Sequence, residues 1–134
     1  LVADEEENNP WLTGIEMQVL HNEGHADGQI ETHRAGDLYD LIAADPVTVR
    51  PPGEWNEVLI RIQDNRIEHW LNGVKVVAVT RASEEWDALV AASKFADMPR
   101  FGKADSGYIV LQDHGDPVWY RNIRVRNLPS SAGL

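Results

Sequence analysis

Within Glu16-Met17-Gln18-Val19-Leu20-His21 a carboxylate, an amide and an imidazole fall in one short stretch. Glu16 and Gln18 are two residues apart, so on a strand they share a face. A carboxylate or an imidazole can move a proton, whereas an amide can only donate and accept hydrogen bonds. The chemistry on offer is a single base, a hydrogen-bonding amide and an imidazole. A second polar face lies far along the chain, where Tyr108, Val110, Gln112 and His114 share one side by the same period and Asp113 faces the other way. The plainer reading makes Gln112 an edge-strand amide facing water and His114 a turn histidine, because short motifs match by chance.

The spacing of residues 16–21 is similar to the laminarinase-type glucanase strand, which carries Glu, Asp and Glu at its first, third and sixth positions. Such enzymes need two carboxylates about 5–5.5 Å apart, one as nucleophile and one as acid/base. Here those places hold Glu16, Gln18 and His21, so the second carboxylate is gone and double displacement is disfavoured.

Four of the five histidines, His21, His25, His33 and His114, fall at or beside these stretches. His21 and His25 with Asp27 are the right types for a divalent metal, although their spacing fits no structural zinc pattern. The alternative is solvated or hydrogen-bonded loop histidines. No cofactor is required by any motif. His69 alternates with Ile67 and Leu71, which makes a satisfied inward or interfacial histidine the default reading. Trp55, Trp70, Trp119 and Tyr39 could stack on a sugar face, against the plainer reading of core and rim packing. There is no nucleophile elbow, P-loop or Gly-rich dinucleotide turn.

The elements that must hold these groups are short. Ile15, Met17 and Val19 alternate with polar residues, predicting a strand within Trp11–Leu20. Residues 21–37 form a long loop rich in Gly, His and Asp, a kind that is more often functional than not. Leu38–Ala43 is a short strand candidate, and residues 45–53, with Pro46, Pro51 and Pro52, are a linker. A meander follows: Trp55–Gln63, a turn at Asp64-Asn65, Arg66–Leu71, a turn at Asn72-Gly73, then Val74–Val79. Asn-Gly tolerates the positive φ of a type I′ hairpin. Ser83 caps a helix with Glu84 and Glu85 in its first turn and Trp86, Leu89, Val90 and Ser93 on one face. Strands at Gly107–Gln112 and Val118–Val125 close the chain, with a frayed tail from Asn127.

One domain of 134 residues accommodates all of this. Hydrophobic residues make up 43%, which suits a folded core, and no apolar run approaches the roughly 20 residues of a membrane helix. Twelve Lys and Arg against 22 Asp and Glu leave a net charge of −10, which repels nucleic acid and anionic lipid. With no cysteine there is no disulfide, thiolate metal site or cysteine nucleophile. Asp4–Glu7 reads as a solvated acidic loop. The chain opens on Leu1 with no basic-then-apolar leader, which reads as a processed or excised piece. Many short strands and one helix predict an all-β antiparallel sandwich, with too few strands for two complete sheets.

Longer stretches carry a resemblance. Glu16-Met17-Gln18-Val19-Leu20, Asn22-Glu23-Gly24-His25, His33-Arg34-Ala35-Gly36-Asp37-Leu38-Tyr39-Asp40-Leu41, Gly53-Glu54-Trp55-Asn56-Glu57-Val58, Glu68-His69-Trp70-Leu71-Asn72-Gly73 and residues 111–123 recur in order. Over about 11–128 the chain resembles the 3-keto-disaccharide hydrolase family. The resemblance implies a concanavalin A-like lectin/glucanase jelly roll lacking its N-terminal strands here, and a periplasmic or secreted address. It implies as substrate a small carbohydrate, a 3-keto-glucoside or disaccharide. A ketone at C3 acidifies the C2 proton, so one base can remove it, the aglycone leaves C1, and water adds to the glucal. On this basis Glu16 and His114 are assigned to proton transfer, Gln18 and Gln112 to the hydroxyls, and His33, Arg34 and Tyr39 to the loop side of the pocket. His21 departs from the family pattern, where an aspartate is expected. Polarisation of the ketone falls to hydrogen bonds or a divalent metal.

Two other readings compete. A non-catalytic carbohydrate-binding module of the same sandwich needs aromatics and amides but no tuned base. An adhesion domain holding calcium ranks last, since Asp4–Glu7 lacks the spacing of a calcium loop. A partial sandwich also leaves unpaired edges, predicting an oligomer or pairing with a missing N-terminal half.

Overall fold

A computed structural model of the chain describes residues 2–3 and 8–131; the acidic run Asp4–Glu7 lies outside them. The centre is the predicted meander: β2 (Val58–Gln63), β3 (Arg66–Leu71) and β4 (Val74–Thr80), antiparallel in the order β2-β3-β4. The β3–β4 turn forms where expected, with Asn72 at φ 53° and Gly73 at φ 82°, the positive values of a type I′ turn. Asp64 at φ 51° turns β2 into β3.

β3 is the middle strand and its inward face is the floor of the core. Ile67, His69 and Leu71 point there and are buried. The ladder to β4 shifts between His69, opposite Val77, and Trp70, opposite Lys75. Val76 is the extra residue of this bulge, and its free carbonyl accepts the amide of Asp45 at 3.0 Å. Val76, Val77 and Val79 join Met17, Leu38, Leu41, Trp86, Phe95 and Phe101 in one apolar cluster.

The helix α1 (Glu84–Ala91) has the predicted cap, Ser83 Oγ accepting the Trp86 amide at 3.2 Å, and acidic groups in its first turn. Trp86 is its one fully buried residue, with Leu89 and Val90 packed beside the core. Phe95 stacks on Phe101 at 3.8 Å just beyond it.

Several expected strands take another form. In place of a strand within 11–20 there is a 3₁₀ turn at Pro10–Leu12 and an isolated bridge of Met17 to Leu38. Leu38–Ala43 is a tight turn, Leu38 also bridging Ile42 while Asp40 sits at φ 60°. The loop of 21–37 contains 3₁₀ turns at Ala26–Gln29 and Glu31–His33. At the far end, β5 is Tyr108–Ile109 alone, pairing with β1 (Val2–Ala3), and 118–125 has no ladder among the described residues. The architecture is therefore mostly sheet, in a three-stranded and a two-stranded piece with one helix, and the two layers of a closed sandwich are not assembled. The tail is fastened rather than frayed: Gln63 Nε2 donates to the Pro129 carbonyl at 2.8 Å, and Asp64 accepts from Ser130 and Ser131.

Candidate active site

Residues 16–18 run antiparallel to 36–39. The Tyr39 amide donates to the Glu16 carbonyl at 3.0 Å, the Gln18 amide to Asp37 at 3.1 Å, and the Gly36 amide to Gln18 at 3.0 Å. The alternation read from the sequence holds here without a long strand. Met17 goes into the core, while Glu16 and Gln18 stay half-buried on the other side.

The loop that returns to this segment is wired by side chains. Asp37 is 1% exposed and its carboxylate accepts the Arg34 amide at 2.5 Å and the Ala44 amide at 2.7 Å. Burial pushes its carboxyl above the usual range, against the pull of those two amides. Asn22 Oδ1 accepts the Ala35 amide at 2.8 Å, and Arg34 Nε donates to the Gly28 carbonyl at 2.9 Å. Gly28 is required because a Cβ would fall inside the Asn22 carbonyl. His69, 1% exposed, joins its Nδ1 to the Gly36 carbonyl at 3.2 Å. Burial, opposed by that bond, takes its pKa down to about 4, so the ring is neutral at pH 7.

This wiring presents a titratable cluster. His33 is buried, with Nε2 bound to Asp40 Oδ1 at 2.7 Å and its ring 4.3 Å from that of Tyr39. Its Nδ1 is buried without a hydrogen-bond partner, the Asp27 carboxylate standing 4.0 Å away. Burial raises the Asp40 carboxyl, but His33 and the Lys94 amide at 2.8 Å outweigh it and hold the group below its ordinary value. Burial raises the Glu16 carboxyl, and the charges of Lys94, His114 and His33 offset this in part. Glu16 is thus a half-desolvated carboxylate near an ammonium and two imidazoles, with a strengthened affinity for a proton.

Residues from the chain's far end face the same carboxylate. His114 is exposed, and its ring lies 6.0 Å from that of His25. The Tyr120 hydroxyl donates to the Gln112 carbonyl at 2.9 Å; burial raises its phenol, with further contributions from Glu16 and Asp113. The Gln112 Oε1 is buried without a partner. Residues 111–113, 115–118 and Tyr120 line a hollow of about 520 Å³.

Of the residues singled out from sequence, Glu16, His33, Tyr39 and His114 come together. Gln18 lies beside them, Gln112 is joined to the group through Tyr120, and the Arg34 guanidinium is used to tie the loop at Gly28. The His21 ring lies against Gly24, and His25 Nδ1 accepts the Asp27 amide at 3.1 Å. Among the described residues no three ligating side chains converge as a metal site. Asp40, Lys94 and Tyr120 were not assigned from the sequence. Asp40 and Tyr120 stood inside the quoted motifs, whereas Lys94, past a helix end, carried no signal.

A 3-keto-disaccharide hydrolase of Bacteroides thetaiotaomicron is 35% identical over 131 residues, covering 88% of this chain and 45% of that protein. The chain thus spans about half the length of this relative. A solved structure of a candidate glycosyl hydrolase from Parabacteroides distasonis superposes with a TM-score of 0.66 at 27% identity, over 78% of this chain and 50% of that one. Residues 1–126 match the 3-keto-alpha-glucoside-1,2-lyase-like domain, nearly the whole length, and the chain belongs to that family.

Proposed function

We propose that the chain carries the proton-transfer machinery of an enzyme that cleaves 3-keto-glycosides by elimination and rehydration. The observation that carries this is Glu16: a carboxylate made more basic by burial, faced by imidazoles and an ammonium. Asp40 is committed to His33 and to the Lys94 amide, which withholds it from the part of a second carboxylate in double displacement. In the proposed reaction the Glu16 carboxylate takes the C2 proton, which the C3 ketone acidifies. The electron pair passes first into an enolate of the C3 ketone. Its return from oxygen restores the carbonyl and forms the C1–C2 double bond as the C1–O bond breaks, and His114 protonates the departing oxygen. Water then adds at C1, giving a proton back to His114, while Glu16 returns its proton to C2, for net hydrolysis.

Gln18 and Gln112 hold hydroxyls in this reading, Gln112 with its buried Oε1 ready for a donor. Tyr39 and His33 form the loop wall. The substrate class is a 3-keto-glucoside or disaccharide, and the address, periplasmic or secreted, rests on the same family membership. The apolar groups on both faces of β2 support a concanavalin A-like jelly roll completed by strands beyond this chain or by a second copy.

The test is turnover of a 3-keto-glucoside by wild type, Glu16→Gln and His114→Ala. Glu16→Gln should lose at least about 10²-fold in kcat, the scale of general base catalysis, and His114→Ala a comparable factor for poor leaving groups. Wild-type turnover in both variants would refute the assignment. Sugar binding with no product in any form would instead make this a carbohydrate-binding module.

A further inference from the structure

Lys94 lies past the end of α1, in a segment whose core contact is its neighbour Phe95. Its backbone amide donates to Asp40 Oδ2 at 2.8 Å, across 54 positions of sequence. The same Asp40 holds His33 through its other oxygen. The Lys94 side chain is exposed, and its ammonium lies 4.0 Å from the centre of the Tyr39 ring and 5.3 Å from that of Phe95. Tyr39 in turn stacks near His33 and is bonded through its backbone to Glu16. A long, flexible cation has thus been fixed at its root by a carboxylate and at its ammonium by two aromatic rings. The salt-bridge partners found elsewhere in the chain, such as Asp105 for Arg81, have no counterpart at this ammonium among the described residues. Its positive charge acts on the Glu16 carboxylate more strongly than any other neighbouring charge.

Resting on the functional reading above, we infer that Lys94 is a further catalytic residue, its ammonium binding the substrate's ketone oxygen beside Tyr39. When Glu16 removes the neighbouring proton, the C–H electron pair moves into the ring and the carbonyl π pair moves onto oxygen, giving an enolate. Lys94 stabilises that negative oxygen without itself losing a proton. Donors already in place as charge develops need no reorganisation, which is why such groups contribute strongly to rate. The inference also explains how a pocket in a chain of net charge −10 can stabilise an anion.

Lys94→Met and Lys94→Arg test this, because the anchor to Asp40 is the backbone amide and survives both substitutions. Lys94→Met should lower kcat on a 3-keto-glucoside about 10²-fold, and Lys94→Arg should recover at least a tenth of wild-type activity. A second readout is the acid limb of the rate profile. Among the described residues the titratable groups acting on Glu16 are Lys94, His114, His33 and Tyr120, and the N-terminal charge adds to them. Removing the largest positive charge among them should move the limb to higher pH in Lys94→Met and leave it near wild type in Lys94→Arg. A melting temperature matching wild type shows that Lys94→Met is folded. An active wild type with an equally active Lys94→Met, or with an unmoved limb, overturns this inference alone. A wild type without turnover overturns the functional reading and this inference with it.

Discussion

The segment of residues 16–45 and the surface made by β2 with residues 108–125 are built on opposite terms. The first has almost no regular structure, yet its backbone amides are answered by Asp37 and Asn22, and its carbonyls by Arg34 and His69. The second is extended chain with apolar side chains in the open. Leu59 is 54% exposed, Trp119 is 72% exposed, and Val58, Ile60 and Ile62 on the other face of β2 are also exposed. Order in this molecule therefore follows satisfied polar groups more than regular dihedrals. The site was placed where that order is greatest, and the open surface is where burial is still to be gained, at about 25 cal/mol per Å².

The sharpest way to break the contrast is Asp37→Ala. It strands two buried amides, those of Arg34 and Ala44, and should cost about 3 kcal/mol in denaturant unfolding. A smaller effect is expected from Asp40→Asn, which weakens the bond to His33: about 1–2 kcal/mol at pH 7. The sign with pH follows from the direction of its shift. Asp40 titrates below its ordinary value in the folded protein, so its contribution is complete above the unfolded carboxylate range and disappears as pH falls through the folded value. Unfolding curves of wild type and Asp40→Asn should converge in acid. The smallest effect belongs to the open surface. Ile62→Lys on β2 should change stability by less than about 0.5 kcal/mol while reducing association in light scattering, because an exposed apolar strand edge invites pairing. A large loss there would mean that β2 is covered in solution.

What could be read from the sequence was what neighbours in the chain decide. The Asn72-Gly73 hairpin, the Ser83 cap and the inward His69 all depend on a few adjacent residues, and each is found in the structure. The expected strands at 11–20, 107–112 and 118–125 needed partners, and alternation alone does not supply one. Residues 16–18 found theirs in 36–39 and formed one bridge, and 118–125 has none among the described residues. The tail was misread for a similar reason, since Asp64 reaches it from the β2–β3 turn. Within the site, Glu16, His33, Tyr39 and His114 lay in recognisable motifs, whereas Lys94 joins them through a backbone amide that no side-chain pattern encodes.

The bulge at Val76 ties the active-site loop to the hairpin by counting rather than by chemistry. Because the displaced carbonyl of Val76 receives Asp45, the span from Asp37 to the strand is set by how many residues β4 contains. Any hydrophobic side chain of similar volume could stand at that position with little consequence. Shortening β4 by one residue would straighten the ladder, remove the carbonyl that receives Asp45, and leave the loop bearing Tyr39 and Asp40 without its tie to the hairpin's outer strand.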